Sequence, residues 1–171
     1  PIDGTYDYIN NRDEFTLNAA LIINKKPELG IIFAPAKKRL FYTFGPGCCY
    51  EYSNKKEIKL NCEKKTKANE VIAVSYSDNL KPQISEIHKQ IGVTSHKKMK
   101  SSFKFCVIAT GEYDIYAARE RANEWDYAAG HAVAQNAGAI IKTLDGKPFL
   151  YGKEDYRNPS LLMLRSKNLN D

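Results

Sequence analysis

Two short stretches of this chain carry groups suited to cation and oxyanion chemistry: PIDGT at its start and WDYAAG at 125–130. Asp3 offers the carboxylate oxygen that hard cations prefer. Gly4 permits close backbone approach. A helix beginning just after it would aim free amides, with the Thr5 hydroxyl, at a phosphate. The same residues also make an ordinary Asp-Gly turn with a threonine cap. Asp126 follows Trp125 at the start of a helix-like run, and Ala128, Ala129 and Gly130 allow close packing. A carboxylate there caps the helix, or ligates a metal from a rigid element with Trp125 packed beneath it. Together, Asp3, the Ile2 carbonyl and Asp126 form a partial ligand set for Mg²⁺. Such ions neutralise phosphate oxygens and activate water. A full cage needs further acidic residues.

Other reactive groups point elsewhere. The three histidines, His88, His96 and His131, fall in no metal motif. His88 is expected on a solvated helix face and His131 as a packed or capping residue. No GxSxG, CxxC or P-loop is present, so a serine or cysteine nucleophile is not supported. Cys48, Cys49, Cys62 and Cys106 show no paired spacing, and Cys48 and Cys49 should face opposite sides of a strand. Reduced thiols in a cytoplasmic protein are the simplest account, with peripheral membrane association left open.

The elements that must position these groups divide into two runs. FTLNAALII, ELGIIFAP, RLFYTF and CCYEY read as strands of an antiparallel meander, with NKKP and GPG as breaks. Residues 53–69 are polar and lysine-rich, a passage between subdomains. Beyond them strand and helix alternate, as in a layered α/β domain. EVIAVSYS is a strand. LKPQISEIHKQIG is a helix with Ile84, Ile87 and Ile91 on one side and Gly92 as its cap. A helix capped by Ser101 or Ser102 runs to Gly111, then YDIYAA is a strand. WDYAAGHAVAQNAGA is the clearest helix, followed by the strands AIIKTL and PSLLML.

The chain has 171 residues, 43% hydrophobic and 27% charged, enough for a buried core. Its net charge of +6 is spread through KKP, KKR, KKEIK and CEKKTK. That distribution suits a basic surface or an anionic small ligand. Polymeric nucleic acid is not expected, because no reading motif or aromatic-basic stripe appears. No apolar run is long enough for a transmembrane segment.

PIDGT resembles the D-P-(I/L)-D-G-T signature of the inositol monophosphatase-like superfamily of metal-dependent phosphatases, entered at its second residue. WDYAAGHAVAQNAGA resembles that superfamily's W-D-x-A-A-G signature and following helix. SSFKFCVIATGEYDIY resembles the G-S-S-L-K-F-C region of its 3′(2′),5′-bisphosphate nucleotidase group, and FTLNAALIINKKPELGIIFAP and GHAVAQNAGA strengthen that likeness. The resemblance covers nearly the whole chain but only about the second half of a family member. It therefore implies an N-terminally truncated chain whose other half is supplied in cis or in trans.

The implied fold is α+β/α/β, the C-terminal half of the inositol monophosphatase-like sugar phosphatase fold. Residues 1–68 would be an antiparallel remnant of the first subdomain, with an uncovered edge or face, and 69–171 a layered α/β subdomain. The implied reaction removes the 3′-phosphate of adenosine 3′,5′-bisphosphate by in-line attack of water, without a covalent enzyme intermediate. Mg²⁺ is the implied cofactor, held by Ile2, Asp3 and Asp126. Gly4 and Thr5 match the phosphate-contacting segment, and Ser101, Ser102 and Lys104 match a substrate-binding region. Ser75 and Ser77, in VSYS, match the nucleotide side.

Several positions depart from the family pattern. The first Asp of DPxDGT, the Gly-Glu-Glu metal segment and the water-orienting residues are absent from this stretch. Asp78 stands where relatives often have His, and Lys100 replaces a Gly. PRxGP becomes AARERA, whose Arg119 and Arg121 offer charge to a phosphate. An inositol monophosphatase or related sugar phosphatase is the alternative enzyme. A non-catalytic nucleotide-binding fragment, or half-enzyme partner, is the alternative of another class.

Overall fold

The computed structural model describes residues 2–64 and 70–169. The first strands form the expected meander. β1 (Ile2–Asp3) leads through α1 (Thr5–Ile9) to β2 (Thr16–Ile23), β3 (Lys26–Ala34), β4 (Arg39–Thr43), β5 (Cys49–Ser53) and β6 (Lys56–Lys59). They lie in sequence order in one antiparallel sheet. Two-residue turns at Asn24–Lys25 and Asn54–Lys55 hold all four residues at positive φ, the geometry that matches strand twist in a tight hairpin. β6 falls in the stretch read as a polar passage. All four of its residues are exposed, so its signal is the Asn54–Lys55 turn rather than alternation. Residues 65–69 of that passage lie outside the described residues.

The second sheet has the order β10-β11-β9-β7-β8. β7 (Ile72–Ser75) runs parallel to both β8 (Ser95–Lys98) and β9 (Ile115–Ala118), while β11 (Leu161–Leu164) is antiparallel to β9 and to β10 (Ile140–Lys142). α2 (Pro82–Ile91) is the crossover from β7 to β8, and Gly92 at φ 75° closes it as expected. β8 is a second strand the sequence conceals: Ser-His-Lys-Lys is fully polar and sits at an edge.

α2 lays Ile84, Ile87 and Ile91 over Ala73, Ile115 and Leu162 on one side of this sheet. His88 is buried in that contact, its ring 6.4 Å from that of His96, instead of lying on a solvated face. The reason is spacing: position 88 is four residues after Ile84 and three before Ile91, on the same stripe.

α3 (Phe103–Ala109) and α4 (Glu124–Asn136) pack against each other and touch both sheets. A single core joins Ile32 and Phe41 of the first sheet to Phe105, Val133, Tyr116 and Met163. Cys49, Cys62 and Cys106 are buried in it as free thiols, and Cys48 is half-buried.

The opposite face of the first sheet shows the uncovered surface that the resemblance implied. Leu17 pairs with Phe33, Phe33 with Leu40 and Leu40 with Tyr52, a cross-strand row. Leu21, Ile23, Ile31 and Phe33 are all exposed.

α4 sits on β3 with almost no side-chain spacer. A Cβ added at Gly30 would lie 2.5 Å from the Ala129 carbonyl oxygen and 2.9 Å from Ala132 Cβ. Gly30→Ala is therefore expected to cost about 1–3 kcal/mol, the usual range for overpacking. Urea unfolding should show a lower midpoint at unchanged slope. An unshifted midpoint would mean that helix and strand have slack at this seat.

Candidate active site

The turn from β1 into α1 fixes the first group. Asp3 pairs across to Thr16 of β2. Gly4 then takes a left-handed φ of 87°, where a Cβ would meet the Glu14 carbonyl oxygen at 2.6 Å. Asp3 Oδ2 accepts the backbone amide of Ser102 at 2.5 Å, which ties β1 to the entrance of α3. The second carboxylate rides on the first turn of α4, where Asp126 Oδ2 accepts the Asn123 amide at 2.8 Å. Asp126 thus caps its helix and also lines a cavity of about 340 Å³ with Asp3, Lys104, Tyr76, Tyr116 and Arg121.

Lys104 is the buried cation of this cavity. Its ammonium donates to the Ser101 carbonyl at 2.5 Å and lies 5.3 Å from the Tyr116 ring. Burial, with Arg121 nearby, pulls its pKa down to about 8, against the opposing pull of Asp3. Burial likewise raises the Asp3 carboxyl above its ordinary value. The charge of Asp126 adds to that rise, while Lys104 and the Ser102 amide oppose it. Two carboxylates lining one cavity, both oxygen donors, fit a hard divalent cation. Among the described residues no group of three or more His, Cys, Asp or Glu side chains is arranged to hold a metal.

The remaining expected residues fall in different places. The Thr5 hydroxyl donates to the Ile2 carbonyl at 3.3 Å. Gly4, Thr5 and Ser101 line the cavity. The Ser102 hydroxyl is fully buried between Thr16 and Asn18, at 2.8 and 2.7 Å, so its own link to the site is its amide. Ser75 and Ser77 line a neighbouring cavity of about 130 Å³, which shares Tyr76, Tyr116 and Arg121 with the first. Trp125 does not pack beneath Asp126. It is 60% exposed, with its ring 6.1 Å from that of Tyr156, because the inward positions of this turn are taken by Tyr127 and Ala128.

Sequence reasoning missed Tyr76, Tyr116 and Asp7. Asp7 is buried in α1 and accepts Lys100 Nζ at 2.9 Å. The signal for that pair was the unusual Lys100 before the serines. His131 is packed, between the Tyr151 hydroxyl at 3.0 Å and Gln135 at 2.9 Å.

Fold and site together define a two-sheet α+β protein whose acidic and basic groups meet in one cavity. The chain belongs to the Inositol monophosphatase family, whose family model matches residues 1–169. Phosphatases of this family are generally metal-dependent. The 3′(2′),5′-bisphosphate nucleotidase CysQ of Escherichia coli K12 is 36% identical over 162 residues, covering 93% of this chain and 63% of that protein. The CysQ of Buchnera aphidicola is 35% identical over 147 residues, covering 85% of this chain and 54% of that protein. The chain thus spans less than two thirds of these relatives' length. The crystal structure of CysQ from Bacteroides thetaiotaomicron, a bacterial member of the inositol monophosphatase family, matches with a TM-score of 0.85 at 30% identity. That match covers 98% of this chain and 69% of that one.

The depressed Lys104 pKa has a stability signature. The unfolded chain keeps the ordinary value near 10.5, so between pH 8 and 10.5 it binds more protons than the folded chain. The cost of burying the ammonium is present in full below pH 8 and is relieved as pH rises toward 10.5. Urea unfolding of wild type and Lys104→Met should therefore show wild type gaining on the variant from pH 8 to pH 10. A constant difference would exclude a desolvated ammonium.

Proposed function

We propose that this chain carries the catalytic carboxylates of a Mg²⁺-dependent 3′(2′),5′-bisphosphate nucleotidase. The substrate is adenosine 3′,5′-bisphosphate, and the products are AMP and phosphate. The observation that carries the proposal is the meeting of Asp3 and Asp126, far apart in sequence, in one cavity with the buried Lys104. Likeness to proteins named as bisphosphate nucleotidases supports the choice of substrate.

In this reading Asp3, Asp126 and the Ile2 carbonyl hold Mg²⁺. When bound, the ion draws charge from the phosphate oxygens and makes water a stronger nucleophile. Gly4 and Thr5, which line the cavity beside Asp3, contact the reacting phosphate. Lys104 sets a positive potential opposite the transferring group, strengthened by the cavity's poor solvation. Ser101 shapes the wall that holds Lys104. Ser102 fixes Asp3 through its amide. Ser75 and Ser77 face the nucleoside from the adjoining cavity. Further acidic donors come from outside residues 1–171, in cis or in trans.

The test is phosphate release by the full-length protein from adenosine 3′,5′-bisphosphate and, side by side, inositol monophosphate. Release should require Mg²⁺, cease with EDTA and favour the nucleotide. Asp126→Asn should lower kcat at least about a hundredfold, since even outer-shell changes at metal sites cost tenfold to a hundredfold. A folded protein inert toward the nucleotide with Mg²⁺ present, or faster on inositol phosphate, would overturn the assignment.

A further inference from the structure

Asp7 is 2% exposed in α1. Burying a carboxylate is costly unless a cation meets it. Lys100 does so: its ammonium donates to both Asp7 oxygens, at 2.9 and 3.0 Å. Arg12 stands farther off, 3.7 Å from the same Oδ1. The Asp7–Lys100 pair joins residues 93 positions apart. Both members line the cavity that holds Asp3, Gly4 and Thr5.

Lys100 belongs to a short segment that grips the β1–α1 turn twice. Its side chain takes Asp7, and two residues on the Ser102 amide takes Asp3 at 2.5 Å. The two grips fall on either side of Gly4, Thr5 and Tyr6. Between them Ser101 sits at φ 53°, a left-handed conformation that costs any residue with a Cβ and persists only where its surroundings hold it. They do: the Ser101 carbonyl accepts Lys104 Nζ at 2.5 Å, and the Met99 amide donates to the Ser75 carbonyl at 2.8 Å. The gripping segment is thus fixed by four neighbours. α1 is only five residues long, too short to hold its shape unaided. The strained segment is the rigid partner, and the turn that carries Gly4 and Thr5 takes its position from it.

We infer that Lys100 is a positioning residue that, through Asp7, holds Gly4 and Thr5 in register with the Asp3 carboxylate for the reaction. The inference rests on the nucleotidase reading of this site, in which Gly4 and Thr5 contact the reacting phosphate. Lys100 acts through α1, so its loss misplaces groups that meet the transferring phosphoryl group. The effect falls on kcat more than on KM, because a small misplacement of reacting groups weakens the transition state more than ground-state binding. The lysine that replaces a family Gly before the two serines is therefore part of this chain's catalytic architecture.

The test measures kcat and KM of the full-length protein for adenosine 3′,5′-bisphosphate with Mg²⁺. Lys100→Met should lower kcat about tenfold to a hundredfold while KM moves little. Asp7→Asn should do the same. The double variant Asp7→Asn/Lys100→Met should be no slower than the slower single one, since both break one interaction. Lys100→Arg keeps the charge and can pair with both carboxylate oxygens, so it should recover most of the rate. Amide exchange without metal or nucleotide gives an independent reading. The Asp7 and Tyr8 amides both donate to the Gly4 carbonyl, at 2.9 and 3.0 Å, and in Lys100→Met they should exchange at least about tenfold faster. A raised KM at unchanged kcat in Lys100→Met, with Asp7→Asn like wild type, would overturn the inference in favour of direct substrate contact. A lower melting temperature with unchanged kcat would reduce the pair to a structural brace and overturn it too, as would unchanged exchange of the two amides. If wild type does not hydrolyse the nucleotide, the nucleotidase reading fails, and the exchange comparison alone decides whether Lys100 holds the turn.

Discussion

One hydrogen bond organises this molecule. The Ser102 amide donates to Asp3 at 2.5 Å and joins residues 99 positions apart. The Ser102 hydroxyl continues the connection to Thr16 and Asn18 of β2, and Thr16 is the residue that Asp3 faces across the β1–β2 ladder. Strand, neighbouring strand and helix entrance therefore close a small circuit around the carboxylate. A charge-assisted bond of this kind is stronger than a neutral one, and its burial leaves little freedom to re-aim. The placement of Asp3 is a property of the tertiary fold and not of the PIDGT turn alone.

Around that point the cavity keeps charges under-solvated. The Lys104 ammonium is buried, Asp3 is hard to ionise, and Asp126 divides its oxygens between its own helix terminus and the cavity. Such an arrangement lowers the stability of the empty fold, because each charge loses water without a complete set of partners. On the proposed function, a phosphorylated ligand with its cation would supply the missing counter-charges. On that reading, binding and folding would draw on the same electrostatic deficit.

How much was legible in the sequence follows from how local each signal is. β2–β5 announce themselves through β-branched and aromatic residues between turn-forming breaks, and α4 through its small residues and terminal Gly138. Two-residue turns mark register but went unread at Asn54–Lys55, because the strand beyond it has no buried side chain. β8 is equally polar and exists because β7 offers it an edge. His88 was misplaced by residue type, although its spacing from Ile84 and Ile91 put it in the core. The direction of a side chain is harder still. Nothing near Ser102 says that its hydroxyl turns toward β2, nor that Trp125 turns out while Asp126 turns in. Tyr76 and Arg121 come together only through the packing of β7 beside β9. The two signature carboxylates were readable because a motif records a tertiary meeting as a local string.

The buried thiols carry a consequence of another kind. Burial pushes Cys49 up to about 12 and Cys62 up to about 11, and lifts Cys106 well above its ordinary value. Thiolate is the form that attacks oxidants and alkylating reagents, and at neutral pH these three sulfurs hold their protons. The hydrophobic centre between the sheets is therefore chemically quiet, neither braced by cross-links nor vulnerable to their reduction. No disulfide contributes to its packing, so the contacts among its apolar side chains hold it together.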